Sequence, residues 1–413
     1  MRTELIRVFG RIGLLSLGGP AAQIALMHRE LVETRDWLTE DQFLRALSFC
    51  MLLPGPEAMQ LATYAGWKRA GIIGGLIGGG LFVLPGAVVI AVLALCYGAY
   101  GNLPVVQALF LGVKATVVVI VIEALIRIAR RALKQPAHLV IAALAFVALF
   151  LLALPFPLVI LAAGVAGAAL QRDHGKPTSG PPARLSRALL FLIIGLAIWA
   201  APLIPLALTG DRFLLNIGAF FSKLAVVTFG GAYAVLAYMT QEVVVSYNWL
   251  STDQMMDALG LAETTPGPLI LVTQFVGMTA GLAEGGPARA LAAGALTLWV
   301  TFVPCFIWIF AGAPLIDWLD GRPRLRGALA GITAAVVGVI ANLSLWFALH
   351  VFFGRVLPLN WGPVTTIRPA LDTAQPVAIA LACLAGVLLL WRHWPLPLVL
   401  LTAALASLAI GMV

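Results

Sequence analysis

Two cations lie inside long apolar stretches of this sequence, each shortly before a pair of glycines. Arg11 comes seven residues before Gly18, and Lys223 comes seven residues before Gly230. Because seven residues make about two helical turns, each cation lies on the same helix face as its glycine pair. A charged side chain inside an apolar segment is costly and usually functional. These residues predict an anion-binding site, although Arg11 is near enough to the chain start to extend out of its apolar segment.

Glycine and proline interrupt four apolar segments at matching places. Proline removes a backbone donor and clashes with the preceding turn, and glycine loosens the remaining helix. A half-helix that starts inside a membrane presents free N–H groups and the positive end of its dipole, which suit an anion. A packing kink would account for one isolated break, whereas matched breaks indicate a substrate site at mid-membrane. The substrate-site candidates at these breaks are Gly18, Gly19, Pro20, Pro54, Gly55, Pro56, Gly230, Gly231, Pro266, Gly267 and Pro268.

Four further ionisable residues lie in or beside the apolar segments. Lys114 and Glu123 share one segment, and they form either a buried ion pair or a site that couples transport to a second ion. Glu57 directly follows one Pro-Gly-Pro, and Glu263 precedes the other by three residues. Each of these two is either a proton-linked carboxylate or the cap of a half-helix. No His or Cys spacing of a metal site and no phosphate-binding loop is present, so we expect no metal, no cofactor and no ATP hydrolysis.

The composition places these residues in a lipid bilayer. Of the 413 residues, 61% are hydrophobic and 11% are charged, whereas a soluble domain has about 25% charged residues. Stretches of about 20 apolar residues recur along the chain, and each is long enough to cross a bilayer core of roughly 30 Å. The sequence predicts an all-α polytopic membrane protein with about 13 transmembrane segments. The net charge of +8 is spread over loops without a long basic run, which argues against binding to nucleic acid.

The chain contains an internal repeat. A shift of 212 residues places Phe9–Pro56 on Phe221–Pro268 without a gap, with 17 identities in 48 positions. The identities include Trp37 and Trp249, and the two starts Thr39-x-x-Gln42 and Ser251-x-x-Gln254 predict matched helix capping boxes. Further on, Gly112-Val113 recurs as Gly331-Ile332. We therefore divide the chain into an N-terminal repeat (1–170), a basic cytoplasmic linker with one connecting transmembrane helix (171–212) and a C-terminal repeat (213–413).

The loop charges predict opposite orientations for the two halves. Clusters of lysine and arginine follow the even-numbered of the 13 apolar segments, as at Lys134 and Arg326, so a cytoplasmic N-terminus puts these clusters inside and the C-terminus in the periplasm. Arg29, Arg35 and Arg45 do not fit this rule, since they lie outside, among acidic residues. The loop between Gly98 and Pro104 is uncharged, yet its repeat partner around Asp317–Arg326 is basic. Such inverted-topology repeats with broken helices allow alternating access around a central site.

The motifs resemble those of the chromate ion transporter family in its long, two-domain form. The resemblance rests on Leu17–Pro20, Phe229–Gly231, the paired tryptophans and the two Pro-Gly-Pro motifs. It implies a carrier in the bacterial inner membrane that exports chromate and confers resistance, coupled to the membrane potential, protons or a counter-anion. The second glycine pair departs from the pattern, since Ala232 stands where the first half has Pro20. The second break therefore disrupts its helix less strongly than the first, because it has no proline.

Alternatives remain at this point. Chromate and sulfate are both tetrahedral dianions of similar size, so a sulfate or other anion exchanger or uptake carrier fits the same residues. A membrane-embedded enzyme would need a nucleophile–base pair, a metal cluster or a redox motif, and the sequence contains none of these. The oligomeric state is open, a homodimer included.

The orientation can be tested with reporter fusions. Fusions after Lys134 and after Arg326 should both report a cytoplasmic location, whereas a fusion at Asn102 should report a periplasmic one. These places are loops or loop ends whose charges decide their side of the membrane. The same location for the Asn102 and Arg326 fusions would contradict the inverted repeat.

Overall fold

The chain is mostly helical. The computed structural model describes residues 2–16, 19–171, 185–227, 229, 232–313, 323–362 and 364–411. The α-helices are α1 (Arg2–Leu15), α2 (Gly19–His28), α3 (Glu40–Leu52), α4 (Glu57–Tyr100), α5 (Pro104–Ala132), α6 (Pro136–Phe150), α7 (Phe156–Leu170), α8 (Leu185–Ala200), α9 (Leu203–Thr209), α10 (Arg212–Val227), α11 (Ala232–Gln241), α12 (Thr252–Thr264), α13 (Val272–Gly312), α14 (Pro323–Phe352), α15 (Pro376–Gly386) and α16 (Leu396–Gly411). Short π-helical turns follow α2, α11 and α15, and 3-10 turns precede α13 and α15.

Five apolar stretches of the described helices are long enough to cross a membrane by length and composition. They are Glu57–Tyr100, Pro104–Ala132, Ala188–Thr209, Leu269–Gly312 and Pro323–Phe352. Shorter apolar helices, such as Pro136–Phe150 and Phe156–Leu170, lie between them. The chain is therefore a multi-pass membrane protein.

The two longest helices, α4 and α13, are hairpins. The backbone of α4 leaves helical geometry at Ala70 and Gly71, and that of α13 does so at Gly285 and Gly286. The short arm of α4, residues 57–69, is therefore about 20 Å long, less than the roughly 30 Å of a bilayer core. Its first residue directly follows Pro54–Pro56, the first Pro-Gly-Pro.

Glycines let the two arms of the α4 hairpin touch. A Cβ atom on Gly66 would lie 2.1 Å from the carbonyl oxygen of Gly74, and one on Gly74 would lie 2.1 Å from that of Gly66. A Cβ atom on Gly78 would lie 2.4 Å from the oxygen of Ala62. Since a Cβ atom cannot lie this close to a backbone oxygen, glycine is required along the contact. In the α13 hairpin, a Cβ on Gly281 would similarly lie 2.8 Å from the Cα of Ala290.

Local structure recurs between the halves. Both predicted capping boxes are confirmed. The backbone N–H groups of Gln42 and Gln254 donate to the hydroxyls of the N-cap residues Thr39 and Ser251, whose own backbone N–H groups donate to the side-chain oxygens of the glutamines. π-Helical turns occupy Arg29–Glu33 and Glu242–Ser246. Asp36 and Asn248 share an unusual positive φ, 49° and 51° respectively. Each repeat therefore folds the same way locally around its second and third helices.

The chain forms two compact units. The first consists of Met1–Gly98, Gly175–Ala232 and Ala262–Arg322, and the second of Ala99–His174, Tyr233–Leu261 and Pro323–Val413. Both units thus combine segments from both repeats. The first unit holds the hairpins α4 and α13, and the second holds α5–α7 with α14–α16.

Helices of the second unit run opposite to their repeat counterparts. Gly112 of α5 lies against Ala403 of α16, and Ala108 lies near Gly411, so α5 and α16 are antiparallel. Gly167 of α7 meets Gly327 and Gly331 while Gly164 meets Ile332, so α7 and α14 are antiparallel as well. Short connections reverse the chain between α5, α6 and α7 and between α15 and α16, and a longer segment with a β-hairpin connects α14 to α15. The directions of α5, α6 and α7 are therefore opposite to those of α14, α15 and α16.

These directions bring basic residues to one end of the second unit. The C-terminus of α5, the N-terminus of α14 and the turn after α15 share this end. The basic residues at these places are Arg127, Arg130, Arg131, Lys134, Arg324, Arg326 and Arg392.

A β-hairpin lies at the opposite end of the second unit, and it corrects the all-α expectation. Its strands, β1 (Val356–Trp361) and β2 (Val364–Pro369), pair antiparallel. The segment is rich in Val, Ile, Thr and Trp, which favour strands, and Gly362 supplies a positive φ of 59° at the turn. The amide of Thr365 donates to the carbonyl of Leu151 at 2.8 Å, which ties the hairpin to the end of α6.

The close contact between the arms of α4 can be tested by adding a methyl group. Gly66→Ala should lower the free energy of unfolding by about 1–3 kcal/mol because its Cβ would overlap backbone. Gly80→Ala is the matched control, since a Cβ there meets nothing within 4 Å. Thermal unfolding in detergent, followed by tryptophan fluorescence, measures both variants. Equal melting temperatures would contradict the close contact.

Candidate functional site

Helices are interrupted at all four places that the sequence indicated. α1 ends at Leu15 and α2 begins at Gly19, while α10 ends at Val227 and α11 begins at Ala232. Gaps also separate α3 from α4 and α12 from the 3-10 turn before α13, at the two Pro-Gly-Pro motifs. Of the candidate residues, Gly18, Gly230 and Gly231 lie outside the described part of the chain.

The first glycine break lies against the second Pro-Gly-Pro, Pro266–Pro268, inside the first unit. The amide of Gly267 donates a hydrogen bond of 2.9 Å to the carbonyl of Ser16, the last described residue before the break. The side-chain amide of Gln23 donates to the carbonyl of Gly267 at 2.7 Å and to that of Ser16 at 3.4 Å. Gln23 is buried on α2. Residues from both halves therefore build one joint, which the sequence did not predict.

A glutamine also holds the first Pro-Gly-Pro. The side chain of Gln60, on the short arm of α4, donates to the carbonyl of Pro54 at 2.7 Å. Gln60 is completely buried. The two glutamines thus satisfy carbonyl oxygens at the broken helix ends, whereas the first N–H groups of the half-helices that follow have no intrahelical acceptor. This arrangement favours an anion over a cation at the breaks.

Backbone geometry requires glycine at the described break positions. Gly19, Gly55 and Gly267 have φ values of 78°, 116° and 94°, which L side chains rarely adopt. A Cβ on Gly55 would also lie 2.8 Å from the sulfur of Cys305. A Cβ on Gly86 would lie 2.2 Å from the carbonyl oxygen of Pro266. The breaks are therefore packed tightly as well as bent.

The two Pro-Gly-Pro motifs are packed reciprocally. Pro85-Gly86 and Pro304-Cys305 occupy equivalent positions in the register that aligns Gly112 with Gly331. Gly86, on the long arm of α4, covers the second motif, and Cys305, on the long arm of α13, covers the first. Each repeat therefore supplies the helix that covers the other repeat's break.

Arg11 forms an ion pair with a buried glutamate. Its guanidinium lies 3.6 Å from Glu30, whose side chain is 6% exposed and is also paired with Arg35. Arg11 itself is 57% exposed. The three formal charges leave a net charge of +1 near the first glycine break. Sequence reasoning missed this cluster, although Glu30 is one of the residues that the repeat retains as Glu242.

Lys223 lies on the exposed side of α10, four residues before the helix ends at Val227. The buried face of α10 includes Phe220, Phe221 and Leu224. Arg11 similarly lies four residues before the end of α1. Both cations are near helix C-termini, where the helix dipole favours positive charge. This placement accounts for part of their role whether or not an anion binds.

Lys114 and Glu123 do not pair with each other. Nine residues of helix separate them by about 13 Å along α5, and each has a closer partner. The ammonium of Lys114 lies 3.1 Å from both Asp253 and Asp257 on α12, while Glu123 pairs with Arg127 one turn away. The sequence signal for the first cluster was the i, i+4 spacing of the two aspartates.

The two glutamates beside the Pro-Gly-Pro motifs occupy different positions. Glu57 is the first residue of α4, where a carboxylate stabilises the helix N-terminus. Glu263 is buried in the last turn of α12. In the repeat register, Glu57 corresponds to Leu269 and Glu263 corresponds to Met51. The two halves therefore place one carboxylate each on opposite sides of their motifs.

A histidine bridge fixes the connection between α2 and α3. The ring nitrogens of His28 lie 3.0 Å from Glu33 and 2.7 Å from Glu40. The hydrogen bond and charge of Glu40, followed by those of Glu33, raise the pKa of His28 above its usual value. Since the folded-state pKa is raised, the stabilisation is fully present below pH about 6.5 and is lost as the pH rises through the raised pKa.

The joint at Gln23 predicts a measurable cost for losing its donor. Gln23→Leu would leave the carbonyls of Gly267 and Ser16 without this partner, which should cost about 1–3 kcal/mol. It should also reduce the rise in melting temperature that an oxyanion such as sulfate produces by binding. Gln107→Leu, at an exposed position on α5, is the control. Unchanged stability and an unchanged oxyanion effect in Gln23→Leu would contradict this role.

Comparison with known proteins places this geometry in a family. The model of the chromate transporter family matches residues 3–168 and 215–408. The chromate transport protein of Cupriavidus metallidurans is 31% identical over 347 residues, 84% of this chain and 82% of that protein. The probable chromate transport protein of Synechococcus elongatus is 30% identical over 414 residues, 98% of this chain and 94% of that protein. A chromate transport protein of Pseudomonas aeruginosa is 32% identical over 346 residues, 83% of this chain and 80% of that protein.

No solved structure matches the fold. The family model nevertheless covers most of both halves, and the relatives are similar over most of their own lengths. The chain therefore belongs to the chromate transporter family and is a transporter, not an enzyme.

Proposed function

We propose that this protein is a secondary active transporter that exports chromate across the bacterial inner membrane and thereby confers chromate resistance. The relatives named as chromate transport proteins support this substrate. The observation that carries the proposal is the joint of Ser16, Gln23 and Gly267, where carbonyls are satisfied and half-helices begin. A dianion at such a place gains from N–H groups and helix dipoles that need not reorganise.

The substrate site lies at the four helix breaks. It uses the backbone of Gly19, Pro20 and Pro266–Pro268 near the joint with Ser16, and that of Pro54–Pro56 at the other Pro-Gly-Pro. Gly18, Gly230 and Gly231, which lie outside the described residues, complete the candidates from the sequence. Arg11 and Lys223 add positive charge about one turn before the ends of α1 and α10, which precede the two glycine breaks. Because Gly19, Gly55 and Gly267 have no side chain, main-chain groups at these positions would hold the substrate.

Two inverted repeats, 1–170 and 213–413, would supply alternating access, with 171–212 as linker and connecting helix and about 13 transmembrane segments in all. Three observations support this. The family model matches each half, the helices of the second unit run opposite to their counterparts, and the Pro-Gly-Pro motifs are packed reciprocally. Two similar halves of opposite orientation can exchange conformations around a central site.

The basic end of the second unit would face the cytoplasm, with the N-terminus inside and the C-terminus in the periplasm. Clustering of Arg127–Lys134, Arg324 and Arg392 at one end follows the positive-inside rule. Uptake or exchange of sulfate is the alternative function, since the same backbone groups suit either dianion. Protons or a counter-anion would supply the coupling.

Transport and the role of Lys223 can be tested together in inverted membrane vesicles. The native protein should accumulate labelled chromate under an imposed potential or pH gradient with no reductant added. Lys223→Gln should raise the half-saturating chromate concentration about tenfold or more, which corresponds to roughly 1.4 kcal/mol. Lys223→Arg should retain part of the affinity, because it keeps the charge but changes its shape.

The controls separate substrate from structure. Sulfate added as a competitor compares the two dianions directly, and Lys68→Gln removes a charge outside the breaks at matched protein level. Absence of chromate accumulation by the native protein would contradict the proposed function. An unchanged half-saturating concentration in Lys223→Gln would instead remove Lys223 from the site and leave Arg11 as the cation to test.

A further inference from the structure

A recess lies beside the last turns of α5, at the basic end of the second unit. Its volume is about 300 Å³, and it is lined by Glu123, Ile126, Arg127, Arg130 and Arg131. The three arginines lie on one helix face, since residues three and four apart are neighbours. Arg127 pairs with Glu123, whereas Arg130 and Arg131 are exposed and form no ion pair within the described residues. The recess therefore offers two guanidinium groups to an anion.

The surroundings of the recess strengthen its positive charge. The described segments that meet at this end are residues 123–136, 323–327 and 391–395, and they contain seven lysines and arginines. Glu123 is the one acidic residue in these three segments. Because like charges repel, and exposed charges interact over about 10 Å at 0.1 M salt, this end of the unit favours an anionic partner.

The charged end of α5 is long enough to reach the lipid headgroups. α5 has 29 residues and is therefore about 43 Å long, whereas a bilayer core is roughly 30 Å thick. At least one of its ends thus extends beyond the hydrocarbon. The last ten residues of α5 carry four charged side chains, which are costly in hydrocarbon. Trp391 and Trp394 are exposed at the same end of the unit, and exposed tryptophans are typical of the membrane interface. The recess therefore lies at the level of the headgroups.

Apolar side chains continue the recess along α5. Ile122 and Ile126 are exposed, and with Arg130 they form one stripe at intervals of four residues. A free phosphate or another small oxyanion would contact the arginines only. An anionic phospholipid would place its phosphate at the arginines and part of its acyl chains on the isoleucines. The combination therefore favours a phospholipid, and basic pockets beside transmembrane helices bind such headgroups.

We propose that Arg127, Arg130 and Arg131 form a binding site for the phosphate of an anionic phospholipid, with Ile126 in contact with its acyl chains. Arg130 and Arg131 donate to the phosphate oxygens, because a guanidinium matches two oxygens at once. Arg127 adds charge, and Glu123 fixes its position. A zwitterionic phospholipid carries its own cation and gains less at this site. This inference goes beyond the proposed transport function and does not depend on which anion is carried.

The test uses the full-length protein in detergent after removal of its native lipids. Since a ligand that binds the folded state raises the melting temperature, added phosphatidylglycerol should produce a saturable rise. Phosphatidylcholine with the same acyl chains should produce a much smaller rise. Arg130→Gln combined with Arg131→Gln should increase the half-saturating phosphatidylglycerol concentration about tenfold or more, because two charges leave the site.

Two further variants and one further ligand separate the site from folding and from general charge. Arg130→Lys combined with Arg131→Lys keeps the charge and should retain part of the affinity, so the test stands even where the glutamine variant folds poorly. Arg368→Gln removes an exposed arginine of β2, at the opposite end of the unit, and should respond like the native protein. An equal response of the native protein and the double glutamine variant, or of the native protein to both lipids, would overturn the site. Inorganic phosphate that reproduces the effect of phosphatidylglycerol would overturn the lipid and assign the recess to a soluble anion.

Discussion

A broken helix in a membrane must find partners for the backbone groups that it frees. Water is absent from the hydrocarbon core, and each unsatisfied N–H or C=O group costs several kcal/mol. In this protein the carbonyl of Ser16 meets the amide of Gly267, and Gln23 bonds to both carbonyls at the joint. The break in one repeat is thus stabilised by the break in the other. The hydrogen bonds at this joint therefore need residues from both repeats.

Close backbone packing follows from the same constraint. A Pro-Gly-Pro at depth needs another helix pressed against it to exclude lipid, and that helix needs a small residue at the contact. Gly86 fills this role for the second motif and Cys305 for the first. Gly86 presents only a hydrogen atom to the second motif, whereas Cys305 presents a buried thiol to the first, so the two motifs have different surroundings. The joint at Pro266–Pro268 therefore allows a closer approach of backbone than its counterpart does.

Features that depend on neighbouring residues were predictable from the sequence. The capping boxes at Thr39 and Ser251, the helix breaks and the membrane class all arise from local chemistry, and they were found. The partners of Arg11 and Lys114 were not found, because Glu30 and Asp257 reach them only through tertiary folding. Gln23 gave no signal, since a single glutamine in an apolar helix has no pattern around it. The lengths of the apolar segments do not predict the β-hairpin; the strand-forming residues of Val356–Pro369 are its signal in the sequence.

The two repeats differ in their charged residues more than in their backbone. Two identical halves of opposite orientation would have equal energies in their inward-open and outward-open states, and a substrate that binds both states equally shifts neither. The backbone of this protein is close to such symmetry at the capping boxes and the π-helical turns. Its ionisable residues are not, because Arg45 and Lys114 of the first repeat correspond to Asp257 and Thr333 of the second. Because charged side chains contribute to the energy of each conformation, such differences between otherwise similar repeats can make the two states unequal in energy.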